Sequence, residues 1–74
     1  MRRAPIIQRE RFNGRRIYQR RMELGLSLEQ IATLTERNVA SIHGWEHGKH
    51  RPTPHSLYLL SHALRVKPGY FFDQ

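Results

Sequence analysis

Apolar residues recur at helical spacing through the middle of the chain, and residues suited to helix caps divide this pattern into short helices. Ser27 and Gln30 have the spacing of a capping box, in which each side chain bonds a backbone amide at the start of a helix. The spacing therefore predicts a helix over residues 28–34. Ile31 and Ala32 lie on its inward face, and the small Ala32 allows a second helix to approach closely.

A second helix is predicted after a turn of about four residues. Asn38 is a favourable N-cap, and Ile42 and Trp45 repeat at helical spacing up to His47. Gly48 follows, and glycine readily adopts the left-handed conformation that ends many helices. The two predicted starts, residues 28 and 39, are eleven residues apart, which is the geometry of a helix-turn-helix. In such motifs the second helix can lie in the major groove of DNA.

Helices are also predicted on both sides of this motif, so the expected fold class is all-α. Asn13 is suited to cap a first helix over residues 14–24, and Thr53 followed by proline starts a helix that runs to about residue 65. A last short turn is expected over residues 68–72. Besides the helix-turn-helix, the predicted core contains Ile17, Leu24, Leu57, Leu60, Ala63, Leu64 and Val66.

One arginine falls on the inward side of the first helix. Arg21 lies between Ile17 and Leu24 at helical spacing, so its guanidinium points towards the core and needs a carboxylate. Glu46 on the second motif helix is the candidate partner. We therefore predict a structural ion pair between Arg21 and Glu46.

The composition adds a strongly basic surface to this small domain. Thirteen Lys and Arg residues against six Asp and Glu give a net charge of +7 over 74 residues. This excess favours a polyanion as partner, although a basic surface without such a role is the plain alternative. The small core leaves little room for an enzymatic pocket, and no glycine-rich phosphate loop or serine elbow is present, so we predict that the protein is not an enzyme.

Metal, membrane and redox chemistry find little support in the sequence. His43 and His47 have the i, i+4 spacing of metal ligands, but no H-E-x-x-H motif and no cysteine accompany them. No apolar run approaches the length of a transmembrane helix. We predict a cytoplasmic protein with no metal, no cofactor, no membrane contact and no small-molecule substrate.

The two ends of the chain carry further candidate contacts. Residues 1–12 are interpreted as a basic, flexible arm ahead of a domain over residues 13–74, and its arginines are Arg2, Arg3, Arg9 and Arg11. The arm is suited to wrap a duplex or enter a minor groove, or else only to aid solubility. At the other end, Tyr70, Phe71 and Phe72 are more aromatic surface than so small a core can bury. We expect them at a dimer interface, the alternative being that they close the core of a monomer.

These residues together resemble the phage Cro and repressor type of helix-turn-helix proteins, also called the xenobiotic-response-element type. The resemblance is carried by Ile17, Arg21, residues 24–27, Ile31-Ala32, Ile42, Trp45-Glu46, Gly48, Pro52, Leu57, Ala63-Leu64 and Val66. It implies a compact five-helix, lambda-repressor-like domain, usually a homodimer, that binds a pseudo-palindromic operator and controls transcription. It also supports the pair of Arg21 and Glu46. Glu36 and Arg37 depart from the family, which usually has glycine and then valine or isoleucine, and Leu28 replaces a polar residue that contacts DNA in many relatives.

Two sets of residues are predicted to contact DNA if the second motif helix enters the major groove. The base-reading set is Arg37, Asn38, Val39, Ala40, His43 and Gly44. The phosphate-binding set is Arg21, Ser27, Leu28, Ser41, His47, Lys49, His50 and Arg51. Val39 packing inward as a core residue is the alternative to its base contact. Few base-reading side chains form hydrogen bonds, so shape and phosphate contacts are expected to contribute much of the specificity.

A different class of function remains open. The weakly polar reading helix is compatible with a protein-interaction module, such as an antitoxin or adaptor, that keeps the helix-turn-helix fold. RNA binding is a weaker option, since the chain lacks the exposed aromatic sheet surface that many RNA readers use. A repressor of transcription is the principal expectation.

Overall fold

The computed structural model describes residues 11–73 and shows an all-helical domain. Its elements are α1 (Arg15–Leu24), α2 (Leu28–Leu34), α3 (Val39–Glu46), α4 (Pro54–Leu64) and a 3-10 helix (Pro68–Phe71). The all-α fold class and the helix-turn-helix of α2 and α3 are confirmed. The fifth helix of the expected set is the single 3-10 turn rather than an α-helix, because only four residues are available before the chain extends at Phe72. None of the described helices is long and apolar enough to cross a membrane.

Local side chains fix the starts of α2, α3 and α4. Ser27 Oγ accepts a hydrogen bond from the Gln30 amide at 3.0 Å, and Gln30 Oε1 accepts one from the Ser27 amide at 2.7 Å. Asn38 Oδ1 accepts from the amide three residues later at 2.8 Å, and Thr53 Oγ1 caps α4 in the same way at 3.2 Å. These four contacts satisfy amides that have no partner inside the helix. The starts of α2, α3 and α4 are therefore encoded locally, as predicted.

The helix ends share one backbone motif. Gly25, Glu36, Gly48 and Arg65 follow α1 to α4 in turn, with φ angles of 70°, 58°, 73° and 58°. The amide of the next residue in each case donates to a carbonyl five residues earlier, over 2.8 to 3.0 Å. This is the Schellman arrangement, which requires a left-handed residue. Two of the four positions are not glycine, so the backbone is strained at Glu36 and Arg65.

The core lies where the four α-helices and the 3-10 helix meet. Its buried apolar side chains are Ile17, Ile31, Ala32, Ile42, Trp45, Leu60, Leu64 and Phe71. Leu24, Leu28, Leu57, Ala63 and Val66 are partly buried against this cluster. Leu34, at the end of α2, is 53% exposed. The phase of α2 therefore buries Leu28 and leaves Leu34 at the surface.

Phe71 corrects the predicted dimer interface. Its side chain is fully buried in the core of its own chain, so it offers no surface to a second subunit. The 3-10 helix turns Phe71 inward, whereas Tyr70 and Phe72 remain partly exposed. The expectation that all three aromatics lie at an interface is thus wrong for the middle one.

Residues 11–13 contact the C-terminal residues of the described chain. The Asn13 amide donates to the Phe71 carbonyl at 2.7 Å, and the Asp73 amide donates to the Arg11 carbonyl at 2.8 Å. The Phe12 and Phe72 rings meet edge to face with centroids 6.0 Å apart. The last two residues of the predicted arm therefore dock on the body. Arg2, Arg3 and Arg9 lie outside the described residues.

Candidate nucleic-acid interface

One side of α3 faces away from the core. Ile42, Trp45 and Glu46 point inward and are buried, whereas Ala40, His43 and His47 are exposed. Gly44 falls between Ala40 and His47 on the same side, because residues three and four apart share a helix face. We call Ala40, His43, Gly44 and His47 the outer face of α3. A face of this kind, left open by the core, is what a helix needs to enter a groove.

Gly44 is nevertheless not presented directly to a ligand. It is buried, and a methyl group added at its Cα would overlap the His50 imidazole. The loop folds back here because Gly48 takes the left-handed conformation and the Lys49 amide donates to the Gly44 carbonyl at 2.9 Å. The predicted direct base contact of Gly44 is therefore corrected: the imidazole of His50 covers it.

The N-terminal end of α3 presents the remaining predicted base-reading residues. Asn38 is exposed, but its Oδ1 caps the helix, which leaves its amide NH2 as the group for an outside acceptor. Arg37 is exposed, with its guanidinium carbon 5.9 Å from the centroid of the Trp45 ring. Val39 is partly buried and packs against the core. The inward alternative for Val39 therefore holds for much of its side chain.

The Arg21 side chain is committed to the interior. Its Nε and Nη2 donate to the Glu46 carboxylate at 2.7 and 3.2 Å, and its Nη1 donates to the Leu26 carbonyl at 3.0 Å. The hydrogen bond that Arg21 donates to the Glu46 carboxylate raises the pKa of Arg21 above its ordinary value, although burial acts in the opposite direction. Taken as whole residues, backbone included, Arg21 and Glu46 are 8% and 9% exposed. The pair has the predicted geometry, and the predicted phosphate contact of Arg21 is wrong because its donors already have partners inside the protein.

The remaining phosphate-binding candidates flank α3 on both sides. Lys49, His50 and Arg51 are exposed in the loop that follows α3. The Arg51 guanidinium carbon lies 6.0 Å from the Phe12 ring centroid and 5.9 Å from that of Phe72, which joins this loop to the paired chain ends. Ser27 is exposed at the start of α2. The Leu28 side chain is apolar and packs against the core, so only the backbone amide of Leu28 is suited to bind an anion.

Two further candidates lie on α3 and at its C-cap. Ser41 is partly buried near Asn38. The His47 imidazole stacks on that of His43, with centroids 4.1 Å apart and planes at 34°. Its ring is thus held against a predicted base-reading side chain. Among residues 11–73 no group of three or more His, Asp or Glu side chains is placed to hold a metal ion.

The structure adds one cationic residue that the sequence did not single out. Arg15, at the start of α1, lines a cavity of about 420 Å³ together with Leu28, His43 and His47. The start of α1 can approach α3 this closely because residue 14 is glycine, and any side chain there would overlap the Trp45 carbonyl. The sequence signal that could have indicated this placement of Arg15 was a glycine directly before a basic helix. The other arginines of α1 bind the protein itself: Arg16 contacts Asp73 at 3.2 Å, and Arg20 donates to the Leu64 carbonyl at 2.9 Å.

An all-helical domain with an exposed reading helix and a flanking basic loop defines the class of helix-turn-helix DNA-binding transcriptional regulators. A family model described as "Helix-turn-helix" matches residues 17–71, and the chain belongs to this family. Family and fold are those of DNA-binding regulators. A comparison with curated proteins found no match.

Solved structures agree with this assignment. The crystal structure of the P22 c2 repressor in complex with synthetic operator 9T superposes with a TM-score of 0.78 at 29% identity, covering 80% of this chain and 89% of the repressor chain. The restriction-modification controller protein C.AhdI from Aeromonas hydrophila gives 0.75 at 29% identity, with the same coverages of 80% and 89%. The solution structure of the P22 c2 DNA-binding domain gives 0.76 at 29% identity, covering 78% of this chain and 76% of that domain.

Proposed function

We propose that the protein binds a specific double-stranded operator with α3 in the major groove and represses transcription there. The observation that carries this proposal is the outer face of α3, on which Ala40, His43 and His47 are exposed and which a loop with Lys49 and Arg51 follows directly. The P22 c2 repressor, a similar structure, is in complex with operator DNA. Insertion of a helix of this size into the groove is the usual geometry of the motif.

Base reading would come from a small set of groups. Ala40 and the exposed part of Val39 offer apolar contact to thymine methyl groups, and His43 offers a polar contact in the middle of the face. Arg37 and the amide NH2 of Asn38 supply polar groups at the N-terminal end of α3. So few hydrogen-bonding groups on the helix imply that DNA shape contributes to specificity.

Phosphate contacts would fix the helix in the groove on both flanks. The donors proposed here are Ser27, the Leu28 amide, Ser41, His47, Lys49, His50 and Arg51, and Arg15 joins them because it borders the outer face of α3. The arm with Arg2, Arg3, Arg9 and Arg11 is proposed to extend this basic surface, since Phe12 docks against Phe72 next to Arg51.

The proposed assembly is a homodimer on a pseudo-palindromic operator, with half-sites about one helical turn apart. Tyr70 and Phe72 are the proposed interface residues, because both remain partly exposed at the C-terminal end of the described chain. The cytoplasm is the proposed location, since it is where a bacterial or phage operator would be found. No cofactor or small-molecule substrate is part of the proposal.

The proposal is tested by selecting bound duplexes from a random pool and measuring their affinity against scrambled duplexes over a range of salt concentrations. We expect enrichment of one pseudo-palindromic sequence and a linear fall of log affinity with log salt. Equal affinity for all duplexes would contradict the regulator. That result would instead favour the second candidate, a protein-interaction module, which is suggested by the few polar side chains on the outer face of α3.

A further inference from the structure

One position on the outer face of α3, Gly44, carries no side chain of its own. Ile42, Trp45 and Glu46 mark the inward side, and Gly44 lies about 160° around the helix from Ile42 and Glu46 and about 100° from Trp45. A base-reading side chain would be expected at this position. The sequence provides only a hydrogen atom there.

The structure places another side chain over this gap. Three ring atoms of His50, Cε1, Nε2 and Nδ1, lie within 3.0 Å of where a Cβ of residue 44 would stand. His50 itself is exposed, so the imidazole covers Gly44 from the solvent side. Any residue larger than glycine at position 44 would displace the ring.

The loop that brings His50 back to the helix is well defined. Gly48, with a φ of 73°, reverses the chain after α3, and the Lys49 amide bonds the Gly44 carbonyl at 2.9 Å. His50 therefore follows directly on a residue that is bonded to position 44. Its return to the helix is a consequence of the helix end, not of a distant contact.

We propose that His50 supplies the base-reading side chain that Gly44 lacks, so that a loop imidazole contributes to specificity from the outer face of α3. This inference rests on the proposed function. Imidazole nitrogens can donate or accept hydrogen bonds, so the ring is chemically able to address purine edges in the major groove. In this arrangement His50 contacts a base instead of the phosphate proposed for it above, whereas Lys49 and Arg51 on either side of it contact phosphates.

The test compares four variants on the selected duplex and on duplexes with each base pair changed in turn. His50→Ala is expected to lose about tenfold of the discrimination at one base pair per half-site, with an unchanged salt slope. Gly44→Ala is expected to lose discrimination at the same base pair, because the new methyl group displaces the imidazole. The double variant should be no worse than either single variant, since both remove the same contact. Lys49→Ala is the control, and it should weaken all duplexes alike and flatten the salt slope.

The Gly44→Ala variant is expected to remain folded, so a loss of discrimination would not be due to unfolding. The His50 ring is the far end of a flexible side chain and can move aside, and alanine favours a helix interior over glycine, so Gly44→Ala should have an unchanged or higher Tm. A second readout needs no DNA: a nuclear Overhauser effect between the His50 Hε1 and the Gly44 Hα atoms is expected in the free protein.

The outcomes separate the inference from the proposed function. If the protein prefers one duplex but His50→Ala weakens every duplex equally, or changes nothing, the regulator stands and the base-reading role of His50 is overturned. Absence of the His50 to Gly44 Overhauser effect overturns it as well. If the unaltered protein prefers no duplex, the proposed function and this inference both fail.

Discussion

Arg21 and Glu46 form a bidentate ion pair between α1 and the last residue of α3, with N to O distances of 2.7 and 3.2 Å. The pair fixes the end of α3 that lies next to His47 and the basic loop. Because the two side chains are only 10% and 4% exposed, neither charge has much contact with water. The pair therefore couples the position of the reading helix to the body of the domain.

Removing one partner of this pair should be costly. Glu46→Ala leaves the buried Arg21 guanidinium without a carboxylate, and we expect a loss of about 3–5 kcal/mol in the free energy of unfolding. Urea denaturation followed by circular dichroism measures the loss. Glu23→Ala is a matched control, because Glu23 pairs with Arg20 at 3.0 Å but is 59% exposed, so it should cost under about 1 kcal/mol. Similar losses in both variants would contradict a special role for the buried pair.

The two strained helix ends offer stabilising substitutions. Glu36 and Arg65 hold φ angles of 58°, so Glu36→Gly and Arg65→Gly should each stabilise the fold by about 1 kcal/mol. Thermal denaturation of the single and double variants measures this, and the two effects should add. The converse controls are Gly25→Ala and Gly48→Ala, where no atom lies near a new Cβ, so any destabilisation comes from the backbone alone. If Glu36→Gly and Arg65→Gly both destabilise the fold, the side-chain contacts of Glu36 and Arg65 outweigh the backbone strain.

Local signals were sufficient to predict much of this structure. The capping contacts of Ser27 and Asn38 depend on residues three positions apart, and the pairing of Arg21 follows from the phase of α1. Features that depend on how distant segments meet were not predictable in this way. Phe71 is buried because a 3-10 turn rotates it inward, and Gly44 is covered because the loop after α3 folds back over it. Hydrophobic periodicity contains neither piece of information, since both depend on the path of the chain outside the α-helices.

Loop residues should determine the affinity for DNA in general, and helix residues should determine the sequence preference. We expect Lys49→Ala with Arg51→Ala to weaken binding to all duplexes and to reduce the magnitude of the salt slope by about two per subunit. His43→Ala should instead change the preferred base at one position of each half-site. Lys67→Ala is the charge control, because Lys67 lies before the 3-10 helix and outside the proposed interface. Fluorescence anisotropy at several salt concentrations measures both properties, and equal effects of helix and loop variants on every duplex would refute the division.

Phe71 should contribute to the stability of the fold, and Tyr70 to the proposed dimer interface. Phe71→Ala removes a fully buried ring and should cost about 3–5 kcal/mol in the free energy of unfolding. Tyr70 is partly exposed, with the Arg16 guanidinium carbon 5.8 Å from its ring centroid, so Tyr70→Ser should weaken the proposed dimer about tenfold with little change in Tm. Tyr70 is a better probe of the interface than Phe72, whose ring also packs on Phe12. Sedimentation equilibrium measures the monomer–dimer constant. A dimer that Tyr70→Ser leaves unchanged would place the contact between subunits elsewhere on the domain.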